Sequence, residues 1–241
     1  MSNRPNRKDT PGHSVKAASG SRTPPWLWIG VAAIVVVALG TAVLLSGSDE
    51  NTDLTVGPVS ASGSVLSPYQ AGPPDPAVGK SAPSVTGVNF ANEPLSIAND
   101  GTPKVIIFLA HWCPVCQREV PVLTQWYAAN PDLNGVEVIA VATAVERTRS
   151  NWPPGTWLRE EDWPFPTMVD DADNTAGEVF GLTGFPYFVV IDAEGKVVER
   201  ASGEIGGPAF ASLLTAARTG VPSAPLATGD TTPIELSQSA G

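Results

Sequence analysis

Val105-Ile106-Ile107-Phe108-Leu109-Ala110-His111-Trp112-Cys113-Pro114-Val115-Cys116 is the stretch that decides how this chain folds. Its first part is wholly apolar, as a strand buried on both faces of a sheet should be. It ends in the chain's only two cysteines, with a proline directly after the first. Proline at the first helical position loses nothing, because the first N–H groups of a helix have no partner within it. The run therefore reads as a central strand turning into a helix, with Cys113 at the N-cap and Cys116 at the third helical position. Side chains at this spacing lie about 5–6 Å apart, near the separation a disulfide requires. One helical turn can hold the pair bridged or reduced.

A helix N-terminus carries partial positive charge and free N–H groups, which favour a thiolate at Cys113. Cys113 is expected to be the exposed nucleophile, and Cys116 to point inward and resolve the mixed disulfide. Other uses of the pair fit less well. Structural zinc needs four ligands, and only His111 lies close by. Haem attachment needs a histidine after the second cysteine, where Gln117 stands. A purely structural bridge of this spacing closes a very small loop and stabilises little. His111 either tunes the thiolate when charged or sits at the solvent edge. Trp112 is expected to shield the disulfide at the site rim.

Outward from this motif, β and α signals alternate. Strands are expected at Val85–Phe90, Leu95–Ile97, Lys104–Ala110, Val136–Ala142, Thr167–Asp170, Tyr187–Asp192 and Lys196–Ser202. Helices are expected at Pro114–Ala129, kinked at Pro121, at Thr175–Phe180 and at Pro208–Arg218, the last followed by Gly220. The order is β-α-β followed by β-β-α, an α/β fold with helices on both faces of a mixed central sheet. Residues 146–164, rich in tryptophan and proline, read as a surface excursion tucked into the domain or as a partner-binding lid.

The chain has 241 residues and a net charge of −10. Residues 1–25 are basic; from Trp26 onward nine basic groups face twenty-three acidic ones. Such a body argues against nucleic acid as a partner, since phosphate binding needs a basic face. Trp26 to Leu45 is apolar apart from Gly30, Gly40 and Thr41, and twenty helical residues rise about 30 Å, the thickness of a bilayer core. Basic residues before the run and acidic ones after it orient the N-terminus to the cytoplasm. A cleavable signal peptide is the rival reading, although its apolar region is usually shorter, about 7–15 residues. Either way the working domain lies outside the cytoplasm, where disulfides persist. The expected organisation is a disordered cytoplasmic tail over 1–25, a single transmembrane anchor over 26–45 and a flexible linker over 46–76. The redox domain follows over 77–220, then a disordered tail over 221–241.

The motifs resemble the membrane-anchored, thioredoxin-like TlpA/ResA/DsbE family of extracytoplasmic thiol–disulfide oxidoreductases. The resemblance spans about 77–218. It rests on Val78-Gly79-Lys80-Ser81-Ala82-Pro83, Trp112-Cys113-Pro114-Val115-Cys116, Gln117-Arg118-Glu119-Val120-Pro121, Phe165-Pro166-Thr167-Met168-Val169-Asp170, and Gly184-Phe185-Pro186 with the strand after it. It implies a thioredoxin-like fold in which Pro186 is a cis-proline facing the cysteines and the backbone of Phe185 pairs with an extended substrate. Phe185 departs from the small or β-branched residue more usual there, which bears on substrate preference. The resemblance also places an acid at Glu119. A partly buried carboxylate there has the chemistry to take the proton from Cys116; a solvated helix glutamate is the plainer reading.

Together these readings imply a protein-disulfide oxidoreductase with Cys113, Cys116 and Glu119 as catalytic residues and Trp112, Phe185 and Pro186 contacting the partner. Its partners are protein thiols and disulfides and a second redox protein that supplies or accepts electrons. No metal or organic cofactor is required. The direction is open: reductant, as in cytochrome c maturation, or oxidant in the folding of exported proteins. The alternatives on the same fold are a copper-binding assembly factor, a peroxidase and a non-enzymatic membrane-tethered adaptor.

Overall fold

Alternation along the central strand sets the architecture. In a computed structural model, which describes residues 54–72 and 74–223, Val105, Ile107 and Leu109 face one layer and Ile106 and Phe108 the other, all fully buried. Successive strand residues point to opposite faces, so this strand seeds two cores.

The described residues form strands β1 (Ser60–Ser62), β2 (Ser84–Asn89), β3 (Pro94–Ile97), β4 (Lys104–Leu109), β5 (Glu137–Ala142), β6 (Thr167–Val169), β7 (Tyr187–Ile191) and β8 (Val197–Ser202). The helices are α1 (Pro114–Ala129), α2 (Pro154–Glu160), α3 (Thr175–Val179) and α4 (Gly206–Thr219). One mixed sheet runs β1-β2-β6-β5-β4-β7-β8, with β3 paired to β2. β4 is parallel to β5 and antiparallel to β7, with Ile107 opposite Ala140 on one side and Phe188 on the other. α1 and α4 pack on the Ile107 face through Val120, Leu123, Phe210 and Leu213. The opposite face is covered by α3 and the segment before β2, through Phe180, Ala176 and Leu66.

Most boundaries fall where periodicity placed them. α4 ends at Thr219 with Gly220 in the left-handed region at φ 67, its N–H donating to the Ala216 carbonyl at 2.9 Å, the usual glycine stop. It starts two residues before Pro208. α1 runs unbroken from Pro114 to Ala129 with Pro121 inside it. Two elements, β1 and α2, were not expected.

The expectation of a flexible linker over 46–76 does not hold for its described part. Leu54 and Gly57 donate backbone hydrogen bonds to Phe90 and Asp170, and Leu66 and Tyr69 donate to Val179 and Gly181. Leu66 is buried in the second core. Asp75 forms an ion pair with Arg200, whose side chain is wholly buried. These contacts outweigh the Gly/Ser/Pro composition that suggested mobility. Gly181 is where the segment comes closest: its φ is +74, and a Cβ there would strike the Ser67 carbonyl.

Among the described residues no helix is long and apolar enough to cross a membrane. The expected anchor over 26–45, the tail over 1–25 and the C-terminal tail from 224 lie outside the described residues.

Candidate active site

The site begins where β4 hands over to α1. The Cys113 N–H donates to the Ala110 carbonyl at 3.0 Å, making the turn. Cys113 is the N-cap in an extended conformation (φ −75, ψ 118), with Pro114 opening the helix. The Gln117 N–H then closes the first helical bond on the Cys113 carbonyl at 3.0 Å. Both cysteines are free thiols.

Across from them the Phe185–Pro186 peptide is cis, as the resemblance implies. The Phe185 carbonyl lies 3.8 Å from Cys113 Sγ. The Phe185 ring meets Trp112 edge-on at 5.9 Å, and Trp112 Nε1 donates to the Ala144 carbonyl at 2.6 Å. The fold thus brings Trp112, Cys113, Phe185 and Pro186 together from two distant parts of the chain.

One expectation needs correcting. Cys113 is not openly exposed: it is 7% accessible and packs in a cluster that includes the partly buried Trp112, Val115 and Phe185. The Phe185 ring packs against the same cluster. Cys116 does point inward and is fully buried. Burial pushes its thiol far above the ordinary value, and the neighbouring Cys113 and Glu119 add to this against a backbone hydrogen bond at Ala110.

Glu119 is buried rather than solvated. Its Oε1 accepts N–H bonds from Gly206 at 2.9 Å and Ile205 at 3.3 Å, where α4 starts. Its Oε2 is buried without a hydrogen-bond partner. Burial raises its pKa, and the two backbone donors oppose that only in part. A carboxyl in this state holds its proton more readily than a surface glutamate and still lies within electrostatic reach of Cys116.

His111 is a buried latch, neither a charged tuner nor a solvent-edge residue. Its Nδ1 lies 2.6 Å from the Ser150 carbonyl, and its Nε2 faces the Glu146 N–H at 3.1 Å. The first contact needs a ring donor and the second a ring acceptor, so the imidazole is the neutral Nδ1–H tautomer. The carbonyl of the same residue accepts from Gln117 Nε2 at 2.9 Å and Asn151 Nδ2 at 3.3 Å. This latch was not legible in the sequence, because its partners are backbone atoms some forty residues away.

Burial holds the His111 pKa below its ordinary 6.5, more than a hydrogen bond to Ser150 and the charge on Glu146 restore. The folded chain therefore binds this proton less readily than the unfolded chain. The resulting stability is present above the unfolded pKa and is lost as pH falls through and below it. The denaturant midpoint of the wild-type chain should fall more than that of His111→Gln between about pH 7.5 and about pH 5. Equal pH slopes would remove His111 from this role.

In the 146–164 excursion Trp157 is buried, Trp163 packs edge-on against Phe165 at 5.1 Å, and Trp152 stands 6.0 Å from His111. The tryptophans are tucked into the domain.

A thioredoxin-like fold whose first long helix opens on a free cysteine pair, with a cis-proline loop opposite, defines a protein-disulfide oxidoreductase. The chain belongs to the Redoxin family, which matches residues 77–216. Thiol-disulfide oxidoreductase ResA of Bacillus cereus is 27% identical over 129 residues, covering 53% of this chain and 70% of that protein. Thiol:disulfide interchange protein DsbE of Escherichia coli is 27% identical over 109 residues, covering 45% of this chain and 54% of that protein. The crystal structure of StoA from Bacillus subtilis aligns with a TM-score of 0.47 at 19% identity, covering 57% of this chain and 98% of that one. The resemblance drawn from the motifs is borne out.

Proposed function

We propose that the chain exchanges disulfides with protein partners through Cys113 and Cys116, outside the cytoplasm and tethered to the membrane by residues 26–45. The observation that carries this reading is the free pair at the start of α1 with the Phe185 carbonyl 3.8 Å from Cys113 Sγ. An extended partner segment pairing with the Phe185–Pro186 backbone would deliver its sulfur to Cys113.

In the reducing direction, the Cys113 thiolate attacks one sulfur of the partner's disulfide. A mixed disulfide forms and the partner's other sulfur leaves as a thiolate. Cys116 then gives its proton to Glu119 and attacks the Cys113 sulfur, closing the chain's own bridge and releasing the second partner thiolate. Two electrons pass to the partner, and a second redox protein restores the dithiol.

The same steps run in reverse for an oxidant, and the reducing direction is the one proposed here. Reduced full chain in detergent should then reduce a model protein disulfide such as insulin, and the oxidised chain should be a poor oxidant of protein thiols. Stronger activity in the oxidising direction would reverse the assignment.

A base for Cys116 also predicts a pH signature. Glu119 must lose its proton before it can accept another, so the rate should rise with pH through its raised pKa. In Glu119→Gln the resolving step should slow by at least about 100-fold and that limb of the profile should vanish. An unchanged profile would return Glu119 to a structural role.

The anchor, the cytoplasmic residues 1–25 and the C-terminal tail complete the proposed organisation, with the folded domain starting at Leu54 rather than at residue 77. Deleting residues 26–45 should move the chain from the membrane fraction to the soluble one; continued membrane retention would count against the anchor.

A further inference from the structure

The loop after β5 sets one arginine over Trp112, the residue next to Cys113, and a second over Trp152. Ala144 and Asn151, both in the left-handed region at φ 50 and 59, mark its ends. His111 pins it from beneath through the Glu146 N–H and the Ser150 carbonyl. Between the ends, Arg147 lies over Trp152, 5.9 Å from the ring centroid, and Arg149 over Trp112 at 4.6 Å. Trp112 is fixed by its bond to the Ala144 carbonyl and touches Phe185, whose own carbonyl meets Cys113 Sγ. A chain of contacts thus runs from the sulfur to the guanidinium.

Both arginines are exposed, and among the described residues neither has an ion-pair partner. Arg118, on α1, is already taken by Glu204 at 2.9 Å. In a chain of net charge −10, two guanidinium groups without an ion-pair partner stand out, one of them over Trp112, the residue next to Cys113. A guanidinium held over an indole keeps N–H donors at its edge, and that fork matches a carboxylate bidentately. The aromatic contact fixes the side chain before any partner arrives, which lowers the ordering cost of binding.

We propose that Arg149, held over Trp112, selects partner segments that carry a carboxylate beside their reactive cysteine. Arg147 extends the same cationic strip outward over Trp152. The proposal rests on the exchange reaction of the preceding section and names the chemistry of its substrate.

The test follows oxidation of the reduced full chain by two symmetric peptide disulfides, one with Glu and one with Gln next to the cysteine. In each reaction the chain's dithiol becomes a disulfide and the peptide disulfide becomes two thiols. Each rate is divided by the rate of dithiothreitol on the same peptide, which removes the intrinsic effect of the carboxylate on the sulfur. The Glu peptide should be favoured about fivefold, the size expected of a well-oriented but solvent-accessible charge pair. Arg149→Gln should bring the ratio to about one, and Arg149→Glu should take it below one, in favour of the Gln peptide. A wild-type ratio of one, or a ratio that neither variant changes, overturns the proposal while leaving exchange intact. Failure of the wild-type chain to react with either peptide, and with uncharged 2-hydroxyethyl disulfide, removes the exchange reading itself and the proposal with it.

Discussion

Cys113→Ser is expected to abolish disulfide exchange, taking the rate on a protein disulfide down to the buffer background, while Cys116→Ser turns the chain into a trap. The asymmetry follows from burial and geometry. Without Cys113 the one remaining sulfur is fully buried inside α1, and burial pushes its thiol upward, away from the reactive thiolate. No partner sulfur can reach it along the line that attack requires. Without Cys116 the first attack still occurs at the N-cap, but nothing resolves the mixed disulfide. Intact-mass measurement after mixing each variant with an oxidised partner checks both halves. The adduct should accumulate on Cys116→Ser and be absent from Cys113→Ser. An adduct on Cys113→Ser would exchange the two roles, and full activity in that variant would favour the tethered adaptor instead.

Asp75→Ala is expected to cost about 3–5 kcal/mol of stability, the usual penalty for stranding one member of a buried ion pair. Arg200 reaches Asp75 through Nε at 2.7 Å and Nη2 at 2.5 Å, and donates from Nη1 to the Ser67 carbonyl at 2.8 Å and the Tyr187 hydroxyl at 3.1 Å. The guanidinium also lies over Tyr69, 5.4 Å from its centroid. The arginine therefore clasps the segment before β2 at three of its residues. Without Asp75 its charge stays buried and uncompensated. Replacing both members together, Asp75→Leu with Arg200→Met, should recover much of the loss, because apolar packing often substitutes for a buried pair.

The same pair has a pH signature. Burial alone would raise the Asp75 pKa, but the hydrogen bonds and charge of Arg200, with the Ala77 N–H, hold it below the ordinary 3.8. A depressed carboxylate stabilises the fold above its unfolded pKa and loses that contribution as pH falls through the folded one. Asp75→Ala should therefore show a shallower acid limb than the wild type. A denaturant midpoint unmoved by Asp75→Ala would show that the clasp does not hold residues 54–76.

The strand, turn and cysteine helix were legible because three local signals agree: a doubly buried apolar run, a proline where a helix can begin, and a second cysteine at the same-face spacing. Gly220 marked the end of the last helix for an equally local reason. The cis bond at Pro186 was different. Nothing in Gly184-Phe185-Pro186 alone separates it from an ordinary strand proline, and only the resemblance implied it. Residues 54–76 were misread because composition averages over position. Among many Gly, Ser and Pro residues, Leu66, Tyr69 and Asp75 make the decisive contacts, and their partners lie more than a hundred residues on. α2 was missed because its short helical pattern, Pro154–Glu160, is flanked by residues that signal loops. The burial of Cys113 comes from the core cluster it joins, with Trp112, Val115 and Phe185 packed against it, and no local signal in the sequence brings Phe185 to that place.

The most direct measurement is the reduction potential of the full chain in detergent, read as alkylated thiols per molecule across a series of thiol buffers. One reversible two-electron transition near −270 mV, the region of known reductants, is predicted, with Cys113 and Cys116 changing state together. A chain that stays dithiol at every potential, or whose two sulfurs form independent adducts, would contradict exchange through this pair. A transition near −120 mV, the region of strong oxidants, would contradict its direction.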